Sequence, residues 1–227
     1  MEFVSHLQYA VLMIPALFIA MIVHELGHGY TAYKLGDNTP KVAGRLTVNP
    51  FPHLDMFGSI LFPAILIIAK APFVFGWAKP IPINPLNFKK IDYRKGMALT
   101  ALMGPLSNII TAVIFSILFH LFLTLSQQLP PSIVKTVLLP LTLFFYLTVS
   151  INIIIAIFNL LPIPSFDGWR VILSFLPLHL ERKLENLDFY GIFIVLALFI
   201  LGIIHILILP PYIFIMSLLN MPLNIQF

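Results

Sequence analysis

Two histidines and a glutamate near the N-terminus form the motif with the clearest chemistry. His24, Glu25 and His28 belong to the sequence His-Glu-Leu-Gly-His, in which the histidines are four residues apart. On an α-helix this spacing places both imidazoles on one face, where they can bind one metal ion, and Glu25 lies beside them as a candidate general base. The motif is typical of a zinc hydrolase, although taken alone it is a weak signal.

The composition indicates that this motif lies in a membrane protein. Of the 227 residues, 59% are hydrophobic and 10% are charged, and several apolar segments are long enough to span a bilayer. An ionisable side chain inside the membrane costs free energy, so such a residue usually belongs to a functional site. The chain has no cysteine, so disulfides and thiolate metal sites are excluded and a metal must be bound by imidazole or carboxylate.

The apolar segments predict an all-α polytopic membrane protein with about four to six transmembrane helices in a single domain, 1–227. We place spans at 7–33, 97–125, 136–161 and 190–218. Eleven of the thirteen lysines and arginines lie in three segments between them, 34–56, 78–96 and 162–189. The positive-inside rule puts these segments in the cytoplasm and both termini outside, so His24 and His28 lie toward the cytoplasmic end of the first span. The basic residues thus favour a membrane surface over a nucleic-acid partner.

The apolar segment 57–77 is harder to assign. If it crossed the membrane, the basic segments before and after it would face opposite sides, against the positive-inside rule. Pro63, Lys70 and Pro72 interrupt it, as expected for a broken or re-entrant element. We therefore predict that this segment enters and leaves the membrane on one side, with an ordinary short helix as the alternative.

The segment 41–49 alternates apolar and polar residues with the two-residue period of a strand. It predicts a short re-entrant β-hairpin near the active site, extended by Lys79 to Ile83, that binds an unwound substrate by strand addition. A solvated loop is the alternative.

A second group of residues that could take part in metal binding is Asn159-Leu-Leu-Pro-Ile-Pro-Ser-Phe-Asp-Gly168. Pro162 and Pro164 remove amide donors and end the span, and Asp167 follows at the predicted cytoplasmic depth of the histidines. Asp167 is well placed as a third ligand, which would leave zinc an open fourth position for water. The alternative makes Asp167 a turn residue before Gly168.

Three motifs together resemble the site-2 protease family of intramembrane zinc metalloproteases, in the compact form without a PDZ domain. They are His-Glu-Leu-Gly-His at 24–28, Gly-Pro-Leu-Ser-Asn at 104–108, and the Asn-Pro-Asp-Gly pattern at 159–168. Phe166 stands where the family commonly has leucine. The likeness covers about residues 10–170, and it implies a catalytic core over about 7–170 followed by a C-terminal helix at about 190–218.

The resemblance implies one Zn²⁺ per chain, bound by His24, His28 and Asp167, with Glu25 as the catalytic glutamate. It implies that Asn159 and Pro162 handle substrate. Asn108 could bind substrate or merely a neighbouring helix, and the likeness favours substrate. The expected reaction is hydrolysis of peptide bonds in transmembrane protein or peptide substrates. The expected location is a prokaryotic cell membrane, with the active site toward the cytoplasm.

Other interpretations remain open on the sequence alone. A transporter or metal-ion carrier could line its path with the same histidines and carboxylates, but no inverted repeat is apparent between the halves. A membrane adaptor with an incidental motif is a third possibility. For His53 and Asp55 a turn or a polar contact within their loop is favoured over metal binding.

Overall fold

The computed structural model describes residues 2–68 and 76–223, which form ten α-helices joined by short 3₁₀ and π-helical turns. The long helices are rich in aliphatic residues, as the apolar segments predict. In chain order the helices are α1 (Glu2–Leu35), α2 (Thr39–Val42), α3 (Phe62–Ile68), α4 (Tyr93–Ser126), α5 (Pro131–Ile133), α6 (Leu139–Leu160), α7 (Asp167–Phe175), α8 (Leu178–Glu185), α9 (Gly191–Ile200) and α10 (Ile203–Leu218).

The helices α1, α4 and α6 pack against one another and form the centre of the molecule. Small residues allow the close approach of α1 and α4, because a side chain at Gly27 would collide with the main-chain oxygen of Met103. Toward the N-terminal half of α1, an apolar core fills the space between the helices with side chains such as Phe119, Phe145 and Ile153. The His-Glu-Leu-Gly-His motif lies at the opposite, more polar end of this three-helix unit.

Within the described residues, three helical stretches are long and apolar enough to cross a membrane: Val11–Leu35, Tyr93–Ser126 and Pro131–Leu160. A fourth crossing is formed if Leu178–Ile200 and Ile203–Leu218, which meet at an angle of 83°, count as one broken span. The all-α membrane class is therefore confirmed, with three or four candidate spans where about four to six were predicted. The single C-terminal helix predicted at 190–218 is wrong in detail, because Gly202 adopts a left-handed conformation (φ 71°) and ends α9.

The β-hairpin predicted at 41–49 is not formed, and no strand occurs in the described residues. The segment starts inside α2, and Gly44 then turns the chain with φ 66°. Its proposed partner contains Pro80 and Pro82, which have no N–H group and cannot continue a ladder of hydrogen bonds. The alternation of apolar and polar residues predicted a strand wrongly, because a helical turn, the turn at Gly44 and the prolines of the partner segment prevent strand pairing.

The two ends of the segment 57–77 lie side by side. Trp77 N–H donates to the oxygen of Gly58 (3.1 Å), and the Ser59 hydroxyl donates to the oxygen of Trp77 (2.8 Å). The chain thus returns to the place where a π-helical turn and α3 begin. Lys70 and Pro72, on which the prediction of re-entry partly rests, lie outside the described residues.

Asp37 holds the loops after α1 and before α4 together. Its carboxylate accepts hydrogen bonds from the amides of Thr39 and Asn84 and from the side chain of Asn87 (2.7–3.0 Å). Burial by itself raises the pKa of Asp37, but these hydrogen bonds outweigh it and lower the pKa below its usual value. The ionised carboxylate therefore stabilises this end of the fold.

Candidate active site

The two histidines of the motif lie on the face of α1 that packs against α4. Both are buried, and their rings meet edge to face with centroids 4.7 Å apart. Gly104 on α4 provides the space, because a side chain there would collide with the imidazole of His28. The close helix packing therefore creates a pocket that just admits two imidazoles.

Hydrogen bonds define which nitrogen of each histidine is free. The amide nitrogen of Asn108 donates to the oxygen of Ala20 and to Asn152, so its Oδ1 faces His24 and accepts from Nδ1–H at 2.7 Å. His28 Nδ1 lies 2.7 Å from the main-chain oxygen of Thr100, which can only accept. In the neutral imidazoles both Nε2 atoms therefore carry a lone pair, and they lie 3.1 Å apart.

Asp167 completes a triangle of donor atoms. Its Oδ2 lies 3.1 Å from Nε2 of His24 and 3.3 Å from Nε2 of His28. Apart from these two imidazoles, no hydrogen-bond donor in the described part of the chain reaches this buried oxygen. Tetrahedral zinc ligands at 2.0–2.1 Å from the metal lie about 3.3–3.4 Å from one another. When both imidazoles are neutral, three lone pairs face one point at this spacing, which fits a bound zinc ion.

The electrostatics of Asp167 agree with a ligand role. Burial by itself raises the pKa of this carboxyl, but when the imidazoles of His24 and His28 are protonated on Nε2 and no metal is bound, their hydrogen bonds and charge outweigh burial and lower the pKa below its usual range. The side chain is therefore an anion at neutral pH, as a metal ligand must be.

A tight loop delivers Asp167 to the histidines. The helix α6 ends at Leu160, and Ser165 then adopts φ 76°, which is unusual for a residue other than glycine. Asp188 holds this conformation, since its carboxylate accepts from the amide of Ser165 (3.1 Å) and its main-chain oxygen accepts from the hydroxyl (2.7 Å). Gly191 at the start of α9 allows the loop to approach, because a side chain there would collide with the oxygen of Pro164.

Glu25 is nearly buried and faces the segment that precedes α4. Its Oε2 accepts a hydrogen bond from the main-chain N–H of Ile81 at 2.7 Å. The second carboxylate oxygen is left for other partners. This arrangement suits a general base, which needs a fixed orientation and one accessible oxygen.

The four motif residues His24, Glu25, His28 and Asp167 line one large cavity of about 1410 Å³. Its remaining wall is mostly apolar and comes from α1, α6, α9 and α10, with residues such as Ile14, Phe158, Val195 and Leu209. A cavity of this size accepts an extended peptide segment, and its walls suit apolar side chains.

The three residues predicted to bind substrate occupy different environments. Asn108 has 0% exposed surface, and its side-chain contacts all go to the protein, so it offers no surface to a substrate. Asn159 lines the cavity and donates to the oxygen of Ile155 (2.9 Å). Pro162 is exposed and does not belong to the described cavity wall.

Polar contacts account for His53 and Asp55 as expected. The buried His53 donates from Nε2 to the oxygen of Thr47 (2.8 Å). Asp55 caps the π-helical turn that follows by accepting from the amides of Phe57 and Gly58. Neither residue belongs to the metal-binding cluster.

Sequence reasoning missed four contributors: Thr100, Asn152, Ile81 and Asp188. Thr100 and Ile81 act through main-chain atoms, which leave no signal in residue type. Asn152 was detectable as an amide inside an apolar span, where a polar side chain needs a partner. Asp188 carries no pattern that distinguishes it from other loop carboxylates.

Comparison with known proteins places this site in a family. The family described as Peptidase family M50 matches residues 133–204, a region that includes Asp167. A Bacillus subtilis (strain 168) protein named "Putative zinc metalloprotease YwhC" is 39% identical over 198 residues, covering 86% of this chain and 84% of the relative.

More distant relatives carry a similar name. Proteins named "Putative zinc metalloprotease Rip2" from Mycolicibacterium smegmatis and Mycobacterium tuberculosis H37Rv are each 27% identical. The alignments cover 86% and 88% of this chain and 69% and 71% of those relatives. No solved structure matches the chain.

Proposed function

The chain belongs to peptidase family M50, and from this premise we propose that it is a zinc-dependent intramembrane protease that hydrolyses peptide bonds of transmembrane segments. It is an integral membrane protein, and its polar cluster lies among helices long enough to cross a bilayer. A zinc-binding cluster among membrane helices can reach a substrate that is itself embedded in the membrane, which favours a transmembrane substrate.

One observation carries the proposal. The Nε2 atoms of His24 and His28 and the Oδ2 atom of Asp167 converge within 3.3 Å of one another, with each histidine oriented from behind by an acceptor. We assign these three residues as the zinc ligands, with one zinc per chain. The set leaves a fourth coordination position open, which is the arrangement of catalytic rather than structural zinc sites.

Glu25 is assigned as the general base and acid. Zinc, when bound, supplies the Lewis acidity that activates water and polarises the scissile carbonyl. Glu25 accepts the proton from the attacking water and donates it to the nitrogen of the leaving amine. His24, His28 and Asp167 act as ligands only, and Asn108 acts on His24 as a positioning residue rather than as a substrate contact.

The cavity sets requirements for the substrate. A transmembrane helix hides its carbonyl groups in its own hydrogen bonds, so a stretch of the substrate must unwind before hydrolysis. The apolar cavity wall offers space for such a stretch, and Asn159 presents a polar side chain there. Pro162 ends α6 and shapes the loop to Asp167, which is an indirect contribution to substrate handling.

We further propose that the active site faces the cytoplasmic side. His24 and His28 lie in the C-terminal half of the span Val11–Leu35, and the basic segments 34–56, 78–96 and 162–189 all adjoin this end of the helix unit. The contacts of Trp77 with Gly58 and Ser59, which bring the two ends of the segment 57–77 together, support a location of the first two of these on one side. Labelling of single cysteines at positions 42, 90 and 180 from the cytoplasm, and at 130 from outside, tests this topology; Val42 is 85% exposed.

The central experiment compares purified wild-type protein with Glu25→Gln and Asp167→Ala. We expect one zinc per chain in the wild type and in Glu25→Gln, and strongly reduced zinc in Asp167→Ala. Cleavage of transmembrane peptides should occur only with the wild type. Cleavage by Glu25→Gln contradicts the assigned base, whereas full zinc content in Asp167→Ala contradicts the ligand set. Zinc transport into vesicles without any peptide cleavage is the outcome expected of a carrier.

A further inference from the structure

The segment before α4 carries a main-chain donor in an unusual sequence context. In Lys79-Pro80-Ile81-Pro82-Ile83, both neighbours of Ile81 are prolines and have no N–H group. Pro82 also restricts Ile81 to extended backbone conformations. Ile81 therefore presents the only N–H over residues 80–82, and the backbone around it is stiff.

This N–H points at the catalytic glutamate assigned above. It donates to Oε2 of Glu25 at 2.7 Å, and Ile81 is 7% exposed, so water competes little for the bond. The Ile81 side chain occupies a notch on α1, because a side chain at Gly29 would collide with it. One residue thus contacts α1 through both its backbone and its side chain, one turn beyond Glu25.

A buried arginine holds the segment from its other side. The guanidinium of Arg45 donates from Nη2 to the oxygen of Lys79 (2.5 Å) and from Nη1 to the oxygen of Pro80 (3.1 Å). The N–H of Lys79 donates to the oxygen of His53 (2.9 Å). Arg45 is only 5% exposed, and the two carbonyl oxygens that accept from its guanidinium offset part of the cost of burying this cation.

We propose that the Ile81 N–H, held in place by Arg45, is a positioning group that orients the Glu25 carboxylate for proton transfer. With Oε2 engaged, Oε1 is the oxygen left to accept the proton from water and to pass it to the leaving amine. The two flanking prolines keep the donor from rotating away. This inference rests on the proposed role of Glu25 and extends it to Arg45 and Ile81, which have no contact with the metal-binding cluster.

Three substitutions at one position separate the N–H from the side chain. Ile81→Pro removes the donor and also the side-chain atoms that pack at Gly29, whereas Ile81→Val keeps the donor with a side chain of similar size. Ile81→Ala keeps the donor but loses the side-chain contact, so a kcat that stays closer to Ile81→Val than to Ile81→Pro assigns the effect to the N–H group. We expect all three variants to bind one zinc. With a transmembrane peptide that the wild type cleaves, kcat should fall roughly tenfold or more in Ile81→Pro and less than about twofold in Ile81→Val, with similar KM.

A spectroscopic readout tests the hydrogen bond without activity. Infrared spectra of protein labelled with ¹³C-carboxyl glutamate, with the Glu25→Gln spectrum subtracted, isolate the carboxylate stretch of Glu25. This band should shift in Ile81→Pro and stay in place in Ile81→Val. Equal kcat and an equal band in the two variants would overturn the inference, and so would loss of zinc from Ile81→Pro alone, because the segment would then support the metal site.

Arg45 provides an independent pair of variants if Ile81→Pro does not accumulate. Arg45→Lys keeps a cationic donor and Arg45→Met keeps only the aliphatic stem. We expect kcat to fall roughly tenfold in Arg45→Met with zinc retained, and to recover partly in Arg45→Lys. Wild-type kcat in Arg45→Met contradicts the inference. Absence of peptide cleavage by the wild type would instead defeat the proposed function itself, and cleavage by Glu25→Gln would defeat the assigned role of Glu25. An inactive Glu25→Gln beside normal Ile81 and Arg45 variants defeats only this extension.

Discussion

The histidines of the candidate metal centre are held by buried hydrogen bonds between helices, whereas Asp167 is held by a short loop that reaches the surface. On the histidine side, Asn108 and Thr100 of α4 contact the imidazoles inside the helix unit. On the aspartate side, the loop conformation depends on Asp188 and on an exposed Ser165 with a left-handed backbone. Substitutions should therefore affect the two sides unequally.

The two sides differ in sensitivity because water can replace a lost hydrogen bond at the surface but not in the buried helix unit. A hydrogen bond between buried groups has no water to replace it, so its loss leaves an unsatisfied polar atom in an apolar environment. At the surface, water takes over the contacts of Asp188, and the loop keeps the backbone restraint of its two prolines. The aspartate side is consequently the part of the site that is better able to adjust when zinc or substrate binds.

The largest expected effect is a substitution at the closest contact of the histidine side. Gly104→Ala places a methyl group inside the His28 imidazole, so the ring or the helix must move. Zinc affinity, measured by chelator competition on purified protein, should fall roughly 100-fold or more. Leu106→Ala, on an exposed part of the same helix, is the control and should bind zinc normally. Normal zinc affinity in Gly104→Ala would show that the pocket around the two histidines is not rigid.

The next effect concerns the orientation of His24. Asn108→Leu removes the acceptor for Nδ1–H at similar side-chain volume, so the imidazole loses the partner that directs Nε2 at the metal. Zinc affinity should fall roughly 10- to 100-fold. Thr111→Val, one turn along α4, removes a hydroxyl that bonds only to its own helix and serves as the control. An unchanged zinc affinity in Asn108→Leu would show that Asn108 packs between the helices without orienting His24.

A smaller loss is expected on the aspartate side. Asp188→Ala removes the carboxylate that fixes the amide of Ser165, but the contact is partly solvated. Zinc affinity should fall roughly two- to tenfold, in line with a net hydrogen-bond contribution of about 1 kcal/mol. Asp188→Asn keeps an acceptor oxygen and should recover most of it, and Glu185→Ala on the neighbouring helix should have no effect. A loss larger than that of Asn108→Leu would reverse the proposed inequality.

The smallest effect tests the backbone of the loop itself. Ser165→Gly loses one hydroxyl contact but relieves a left-handed conformation that costs other residues about 1–2 kcal/mol, so the two changes nearly cancel. Zinc affinity should stay within about threefold of wild type. Ser165→Val, which is β-branched, should be clearly worse and should lower thermal stability. If both variants behave alike, the strained conformation has no part in placing Asp167.

Local patterns in the sequence predicted the parts of the protein that depend on neighbouring residues. Long apolar segments indicated membrane helices, because a segment in the bilayer must pair its backbone N–H and C=O groups within itself, which a helix does. The prediction failed where local pattern and backbone chemistry disagreed: the alternating residues 41–49 form a short helix and turns, and the apolar residues 190–218 are divided at Gly202. In both cases a glycine in a left-handed conformation overrides the hydropathy pattern.

The sequence by itself determined which ligand chemistry was possible. It has no cysteine, and it places His24 and His28 on one helical face with Glu25 between them. Only the tertiary structure decided how these groups are aimed, since His24 meets Asn108 across 84 residues and Glu25 meets Ile81 across 56. The reason is that helical periodicity is a local property of the chain, whereas the direction of a lone pair depends on acceptors and donors that helix packing brings from distant segments.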